Sequence, residues 1–104
     1  FDAEAPQDHR MIRVELTFAA ARDLDRITDF LLSHDPDHAL ERKAELIASL
    51  RVLTHAPEIG RPVKAGAREL VVGKAARGYV VRYRYLPRVA IALIIAIRHQ
   101  RESR

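Results

Sequence analysis

The residues most capable of chemistry lie in the second half of the chain, around YVVRYRYL (79–86). Arg82 and Arg84 alternate with tyrosines in this predicted strand, so both side chains point to the same side. Guanidinium groups bind carboxylates and phosphates through paired hydrogen bonds. Two interpretations stand: the arginines bind an anionic partner, or they form ion pairs with acidic residues of the first helix or first strand.

Two further residues of this half are candidates for a functional site. His99 follows Arg98, whose positive charge favours the neutral imidazole that a general base requires. Its alternative role is a structural histidine that hydrogen-bonds to the backbone at a strand end. Arg61 lies between a glycine and a proline, where it anchors the loop, binds a partner or is simply exposed. Arg68 and Glu69 open another predicted strand and can pair across it.

Metal and thiol chemistry are not expected. The sequence contains no cysteine, which excludes disulfides and thiolate zinc sites. His34, His38 and His55 lie near predicted helix ends or in loops, where histidines are usually solvated. His34 and His38 do not share a helix face, which disfavours a shared metal ion. We therefore predict neither a metal site nor a cofactor.

Charge is divided unevenly along the chain. The 104 residues carry a formal net charge of +4, yet residues 1–56 sum to −4 and residues 57–104 to +8. A basic half indicates an anionic partner, either nucleic acid or an acidic protein segment. The alternative is a solvated basic face without a partner.

Length and composition predict one globular domain. The only methionine is Met11, so we expect residues 1–10 to be a tag or an upstream extension and residues 11–104 to form the domain. The apolar block VAIALIIAI (89–97) is much shorter than the ~20 residues that span a bilayer, which predicts a buried strand. We expect a cytoplasmic protein with no membrane partner.

The first half predicts one strand and two helices. MIRVELT (11–17) alternates apolar and polar residues, as a half-buried strand does. FAAARDLDRITDFLLSH (18–34) has apolar residues at helical spacing. A second helix is predicted to begin with Asp35 as its N-cap and Pro36 at its first position, and to end before Pro57. The short link makes the two helices an antiparallel hairpin.

The second half predicts a loop followed by three strands. Residues 56–67 lack periodicity, and the predicted strands are RELVVG (68–73), residues 79–86 and residues 89–97. Their tight connections, including the dipeptide Pro87-Arg88, make them antiparallel. The order β-α-α-β-β-β predicts an α+β fold in which the N-terminal and C-terminal strands form one sheet. The helical hairpin covers one face of this sheet and leaves the other open.

The predicted strand 79–86 has one apolar side and one basic side. Tyr79, Val81, Tyr83 and Tyr85 share a side, and we expect them to pack under the helices rather than stack on nucleic-acid bases. The arginines then lie on the open, basic face.

Several segments in this order resemble the RelE/ParE superfamily of toxins from type II toxin–antitoxin modules. AAARDLDRI (19–27) is similar to the first helix of that superfamily. The long segment ALERKAELIASLRVLTHAPEIGRP (39–62) is similar to its second helix and the loop that follows. RELVVG, GYVVRYRY and IIAIRHQR resemble its later strands and a ParE-like ending, so that the resemblance covers about residues 12–101.

The resemblance implies one of two activities on this fold. RelE-like members cut messenger RNA on the ribosome with strand arginines, lysines and a late tyrosine or histidine. ParE-like members inhibit DNA gyrase and are not known as nucleases. Members of both groups are neutralised by an antitoxin that wraps the toxin. Nuclease members typically have arginine immediately after the position of Tyr79, where this chain has Val80, and the C-terminal tyrosine is also missing.

We therefore expect a ParE-like toxin of the plasmid-stabilisation type that binds gyrase and has no catalytic residues. A cognate acidic antitoxin of the ParD or RelB kind is expected to form a hetero-oligomer with it. The residues expected to bind target or antitoxin are Arg61, Arg68, Arg82, Arg84, Arg98, His99 and Arg101. The alternative is a ribosome-dependent endoribonuclease that uses Arg61, Lys74, Arg82 and His99. A third possibility is a degenerate toxin that acts only in antitoxin complexes and autoregulation.

Overall fold

A computed structural model of the chain describes residues 11–73 and 78–100, so residues 1–10, expected to be an extension, lie outside the described part. Its elements are β1 (Arg13–Leu16), α1 (Phe18–His34), α2 (Ala39–Ser49), β2 (Arg61–Pro62), β3 (Arg68–Val72), β4 (Tyr79–Leu86) and β5 (Ile91–His99). Two short 3-10 segments, Leu50–Thr54 and Lys64–Gly66, lie between α2 and β3. The α+β class is confirmed, and β2 forms within a segment predicted to be only loop.

The strands form one sheet in the order β1-β5-β4-β3-β2. The later strands pair antiparallel, as predicted, whereas β1 pairs parallel to β5. The first and last strands of the chain therefore lie side by side, and the helical hairpin connects β1 to β2 at the opposite edge of the sheet.

A β-bulge in β5 decides which side chains of that strand face the helices. Arg82 of β4 lies opposite Ala96, but the next residue, Tyr83, lies opposite Ile94, which leaves Ile95 as an extra residue. Ile94 and Ile97 are both fully buried although three positions separate them. Because the bulge reverses the alternation of side chains, every residue after it points to the face opposite to that expected from the first half of the strand.

Helix α1 begins where predicted and holds the bulge in place. Thr17 is its N-cap, with an Oγ1 that accepts a 3.1 Å hydrogen bond from the amide of Ala20. One turn later, Asp23 Oδ2 accepts a 2.9 Å hydrogen bond from the amide of Ile97. The helix thus satisfies a backbone donor of the irregular strand, which pairing within the sheet does not.

The predicted start of the second helix is wrong. Asp35 caps the end of α1 instead, because its amide donates to the carbonyl oxygen of Leu31 at 2.7 Å. Its carboxylate binds His38 Nδ1 at 2.9 Å and Arg42 Nε at 3.0 Å. The bond with His38 and the bond with Arg42 lower the pKa of Asp35, and the same carboxylate raises the pKa of His38. With both oxygens engaged, Asp35 fixes the hairpin turn and α2 begins at Ala39.

The last strand is shifted relative to the prediction. Residues 87–90 form a turn in which Ala90 has a φ of 56°, and β5 begins only at Ile91. Val89 is 59% exposed and does not belong to the strand. At the other end, Arg98 and His99 pair with Val80 and Tyr79 of β4, so they are part of the sheet rather than of a tail.

The core lies between the hairpin and one face of the sheet. Val81 and Tyr83 are fully buried there, and Tyr79 and Tyr85 pack against the same cluster, which confirms the packing predicted for this side of β4. The hydroxyl of Tyr83 donates to the carbonyl oxygen of Pro57 at 2.7 Å and accepts from the amide of Gly60 at 2.9 Å. A core side chain therefore ties down the loop that leads into β2. No helix in the described part is long and apolar enough to cross a membrane.

Replacing Tyr83 by phenylalanine is expected to lower the free energy of unfolding by about 1–3 kcal/mol, because it leaves a buried amide and a carbonyl without partners. Urea denaturation measures this change. Tyr85→Phe is the matched control: within the described residues its hydroxyl makes no hydrogen bond, so we expect a change of less than about 0.5 kcal/mol. Equal losses for both variants would contradict the anchoring role of Tyr83.

Candidate functional site

Three arginines from three strands meet on the face of the sheet opposite to the helices, which we call the open face. Arg61 of β2 and Arg82 of β4 both lie opposite Glu69 of β3, so the three residues form one row across the sheet. Arg98 of β5 lies opposite Val80, one step along. We call Arg61, Arg82 and Arg98, together with Glu69 between them, the arginine cluster.

Glu69 is the centre of this cluster. Its Oε2 accepts hydrogen bonds from Arg82 Nε at 3.1 Å and Arg82 Nη2 at 2.7 Å. Arg61 Nη2 lies 3.3 Å from Oε1, and Arg98 Nη2 lies 3.7 Å from Oε2. A single carboxylate therefore holds guanidinium groups from both neighbouring strands and from one strand beyond.

Burial of the carboxylate is possible because its charge is compensated. Glu69 is only 9% exposed, whereas the side chains of Arg61, Arg82 and Arg98 are 75%, 43% and 31% exposed. The hydrogen bonds from Arg82, and then the charges of Arg82, Arg98 and Arg61, hold the pKa of Glu69 below its ordinary value. Glu69 stays ionised, and the cluster has an excess of two positive charges at its solvent side.

The loop before β2 is fixed so that Arg61 reaches the cluster. Arg68 Nη1 donates to the carbonyl oxygens of Glu58 at 3.0 Å and Gly60 at 2.8 Å. A Cβ at Gly60 would lie 2.8 Å from the ring and hydroxyl of Tyr83 and 2.9 Å from the carbonyl oxygen of Glu69. Only glycine allows this close approach, so Gly60, Arg68 and Tyr83 together position Arg61.

The two arginines of β4, which were predicted to share a role, make different contacts. Arg82 binds Glu69, and not an acidic residue of the first helix or strand as one interpretation of the sequence held. Arg84 Nη1 lies near Gly66 instead, 3.1 Å from where a Cβ of that glycine would be. Among the described residues Arg84 has no acidic partner within ion-pair distance. It extends the basic surface without joining the cluster.

His99 lies on the other face of the sheet. The bulge turns it towards the helices, where its ring meets that of Tyr79 edge-on, with 5.4 Å between ring centroids. Both rings line a cleft of about 520 Å³ between the sheet and the helical hairpin. The opposite wall carries Phe30 and His34, whose rings stack at 4.0 Å. This cleft has aromatic walls and a charged rim that includes Arg42 and Glu45.

The residues predicted for the site therefore fall into four groups. Arg61, Arg82 and Arg98 come together, Arg84 lies beside them, Arg68 braces the loop, and His99 lies behind the sheet. Lys74 and Arg101 lie outside the described residues. The described part contains no group of three His, Asp or Glu side chains that could hold a metal ion.

Sequence reasoning missed the role of Glu69. It treated this residue only as a possible partner of Arg68, its neighbour in the chain. The usable signal was the alternation of side chains along each strand. Residues 69 and 82 fall on the polar side of their strands, and one hairpin register places them opposite each other. The sequence does not fix that register, because it predicts the bounds of the two strands but not the geometry of the turn between them.

Comparisons with known proteins agree with this fold. The family model described as "ParE toxin of type II toxin-antitoxin system, parDE" matches residues 14–104. Toxin RelE3 of Caulobacter vibrioides is 38% identical over 95 residues, which cover 90% of this chain and 100% of the relative. Toxin RelE1 of the same organism is 37% identical over 73 residues, which cover 70% and 78%.

Solved structures give the same answer for the fold. The chain matches the chromosomal ParDE toxin–antitoxin system from P. aeruginosa with a TM-score of 0.72 and 24% identity, over 86% of this chain and 96% of the other. It matches the RelBE2 toxin–antitoxin complex from Mycobacterium tuberculosis with a TM-score of 0.54 and 20% identity, over 86% and 99%. The fold and the sequence matches define a toxin of a type II toxin–antitoxin system. The chain belongs to the ParE toxin family, within the RelE/ParE superfamily.

The pKa of Glu69 gives a direct test of the cluster. We expect its carboxyl group to titrate below the ordinary glutamate range, and the Arg82→Gln variant to move this titration upward, because the largest stabilising contact is then lost. The chemical shift of the Glu69 side-chain carboxyl carbon, followed against pH, measures both values. An ordinary or raised pKa in the parent protein would contradict the ion pairs.

The same pKa fixes the direction of the pH dependence of stability. Since the pKa is lower in the folded protein than in the unfolded chain, ionised Glu69 contributes stability above its unfolded pKa. This contribution disappears as the pH falls through the folded-state pKa. Glu69→Gln should therefore lose less stability than the parent over this acidic range.

Proposed function

We propose that this toxin inhibits DNA gyrase by binding, without cleaving nucleic acid, and that a cognate acidic antitoxin neutralises it. Membership of the ParE toxin family supports this function. The two relatives described above are called RelE toxins, whereas the family model is that of a ParE toxin. The names therefore do not distinguish gyrase inhibition from RNA cleavage. The geometry of the candidate residues carries the proposal.

RNA cleavage would need the candidate cations and the candidate proton-transferring group on the same side of the sheet. In this structure they lie on opposite sides. Such a reaction requires cations around the reacting phosphate and a proton-transferring group within hydrogen-bond reach of the same phosphate. Arg61 and Arg82 lie on the open face, whereas His99 contacts Tyr79 in the cleft on the helix side. A phosphate held by the arginines would have the whole sheet between it and the imidazole.

Two details of the open face point the same way. Arg82 already donates two hydrogen bonds to Glu69, so only its Nη1 is left to stabilise the charge that develops on a reacting phosphate. Val80, at the position where nuclease members of the superfamily have arginine, faces the same side and is 8% exposed. The open face is basic, but its charges are arranged for binding.

An acidic antitoxin is the partner that fits this face. The cluster has three guanidinium groups around one carboxylate, and Arg84 adds a further charge next to it. Acidic segments that order on binding gain both affinity and association rate from such a surface. Both solved structures described above are toxin–antitoxin systems, which supports an antitoxin for this chain as well.

The target is tested by supercoiling assays with purified gyrase. With the toxin freed of antitoxin, we expect loss of supercoiling and accumulation of cleaved DNA, because binding traps the enzyme on its substrate. Parallel assays with ribosomes and messenger RNA are expected to show no cleavage. Ribosome-dependent cleavage with unaffected gyrase would contradict the proposal and favour the endoribonuclease that uses Arg61, Lys74, Arg82 and His99.

The antitoxin surface is tested by reversing one charge. Arg84→Glu should weaken binding of the cognate antitoxin about tenfold or more, since a carboxylate then faces the acidic segment, while Glu69 keeps its three partners. Isothermal titration calorimetry measures the affinity. Arg51→Glu makes the same charge change at an exposed site in the 3-10 segment after α2, outside the arginine cluster, and should have little effect. Equal losses for both variants would show that only net charge matters.

A further inference from the structure

A glutamate at the centre of the open face is unexpected if the only role of that face is to attract anions. A carboxylate at its centre reduces the positive charge and should weaken the binding of any acidic partner. Yet this carboxylate is the most buried charged group of the described residues and lies within ion-pair distance of all three arginines. Its contacts suggest a role in the geometry of the surface rather than in its charge.

Some N–H donors of the arginine cluster do not bind Glu69. Arg82 uses Nε and one terminal nitrogen on the carboxylate, and within the described residues its Nη1 has no hydrogen-bond partner. Arg61 uses only Nη2, which leaves Nε and Nη1. The planar guanidinium group of Arg82 is held along one edge, so its other donors lie in fixed directions. Arg61 is held through one donor and Arg98 through an ion pair at 3.7 Å, which narrows the positions that these two side chains adopt.

We propose that Glu69 is a positioning residue that holds Arg61, Arg82 and Arg98 as a preformed site for carboxylates of an acidic protein segment. The proposal rests on the binding function proposed above. Free arginine side chains must lose their rotational freedom when a partner binds, whereas arginines already held by Glu69 have lost part of it on folding, Arg82 most of all. Glu69 thereby lowers the positive charge of the open face by one unit but restricts the motion of three arginine side chains.

A protein carboxylate fits this surface better than a nucleic acid does. The anion that the cluster already holds is itself a carboxylate. The tyrosines of β4 lie on the opposite face, under the helices, so they offer no aromatic platform for bases on the open face. An apolar neighbour, Val71, is 55% exposed on the same face as Glu69 and provides contact for the aliphatic part of a peptide.

The test uses two variants with the same charge change. Glu69→Gln and Glu15→Gln each remove one negative charge from the open face, but among the described residues Glu15 forms an ion pair only with Arg13 on the far edge strand. The probe is a fluorescein-labelled decaglutamate peptide, followed by fluorescence anisotropy with the isolated toxin. We expect Glu69→Gln to bind about fivefold more weakly than the parent, and Glu15→Gln to bind equally or slightly more tightly.

The opposite order would overturn the proposal. If Glu69→Gln bound decaglutamate as tightly as the parent, or more tightly, Glu69 would act as a counter-ion that weakens anion binding. Tighter binding of a ten-residue oligothymidylate than of decaglutamate by the parent would overturn the class of ligand. Neither gyrase nor antitoxin is present, so failure of this experiment and failure of the proposed function are separate outcomes.

A second measurement on the parent covers the case in which Glu69→Gln does not fold. The Nε–H signals of the arginines report on their order by nuclear magnetic resonance. We expect the Arg82 Nε–H, which donates to Glu69, to exchange slowly with water before and after decaglutamate is added. The signals of Arg61, Arg82 and Arg98 should shift on addition of the peptide. Rapid exchange in the free protein, or the absence of shifts, would overturn the proposal.

Discussion

The arrangement of the open face depends on the ion pairs of one carboxylate with three arginines. Glu69 of β3 connects β2, β4 and β5 through side chains, in addition to the hydrogen bonds of the sheet backbone. A buried glutamate without these partners would be strongly destabilising, and three adjacent arginines without it would repel one another. Each half of the cluster therefore requires the other, and together they make an exposed sheet face both basic and ordered.

A second constraint, the bulge in β5, distributes the remaining candidate residues between the two faces. Without the extra Ile95, His99 would share the face of the arginines. With it, Arg98 joins the cluster and His99 enters the aromatic cleft beside Tyr79. Asp23 of α1 binds the backbone after the bulge, so this division is built into the contact between helix and sheet. One fold thus carries a cationic face and an aromatic cleft on opposite sides of the sheet.

Much of this fold was predictable because its periodicities are clean. The bounds of α1 and β4 agree with the hydrophobic pattern, and the tyrosine side of β4 packs as expected. Other features depended on contacts distant in sequence. The sequence around Asp35 is typical of a helix N-cap, but its carboxylate binds His38 and Arg42 instead. The bulge has no sequence signature, because it lies within a uniformly apolar strand. The arginines of the site were predictable singly, but their convergence on Glu69 requires the register of β2, β3 and β4.

A double-mutant cycle between Glu69 and Arg82 tests the central claim most directly. Glu69→Gln, Arg82→Gln and the double variant are compared with the parent by urea denaturation at neutral pH. We expect a coupling free energy of about 1 kcal/mol, because the two hydrogen bonds between these side chains are lost together. The value is modest because solvent screens Arg82, which is 43% exposed, and because Glu69 keeps Arg61 and Arg98 when Arg82 is replaced. A coupling below about 0.3 kcal/mol would mean that the two side chains do not depend on each other, and the ordered arginine cluster would have to be abandoned.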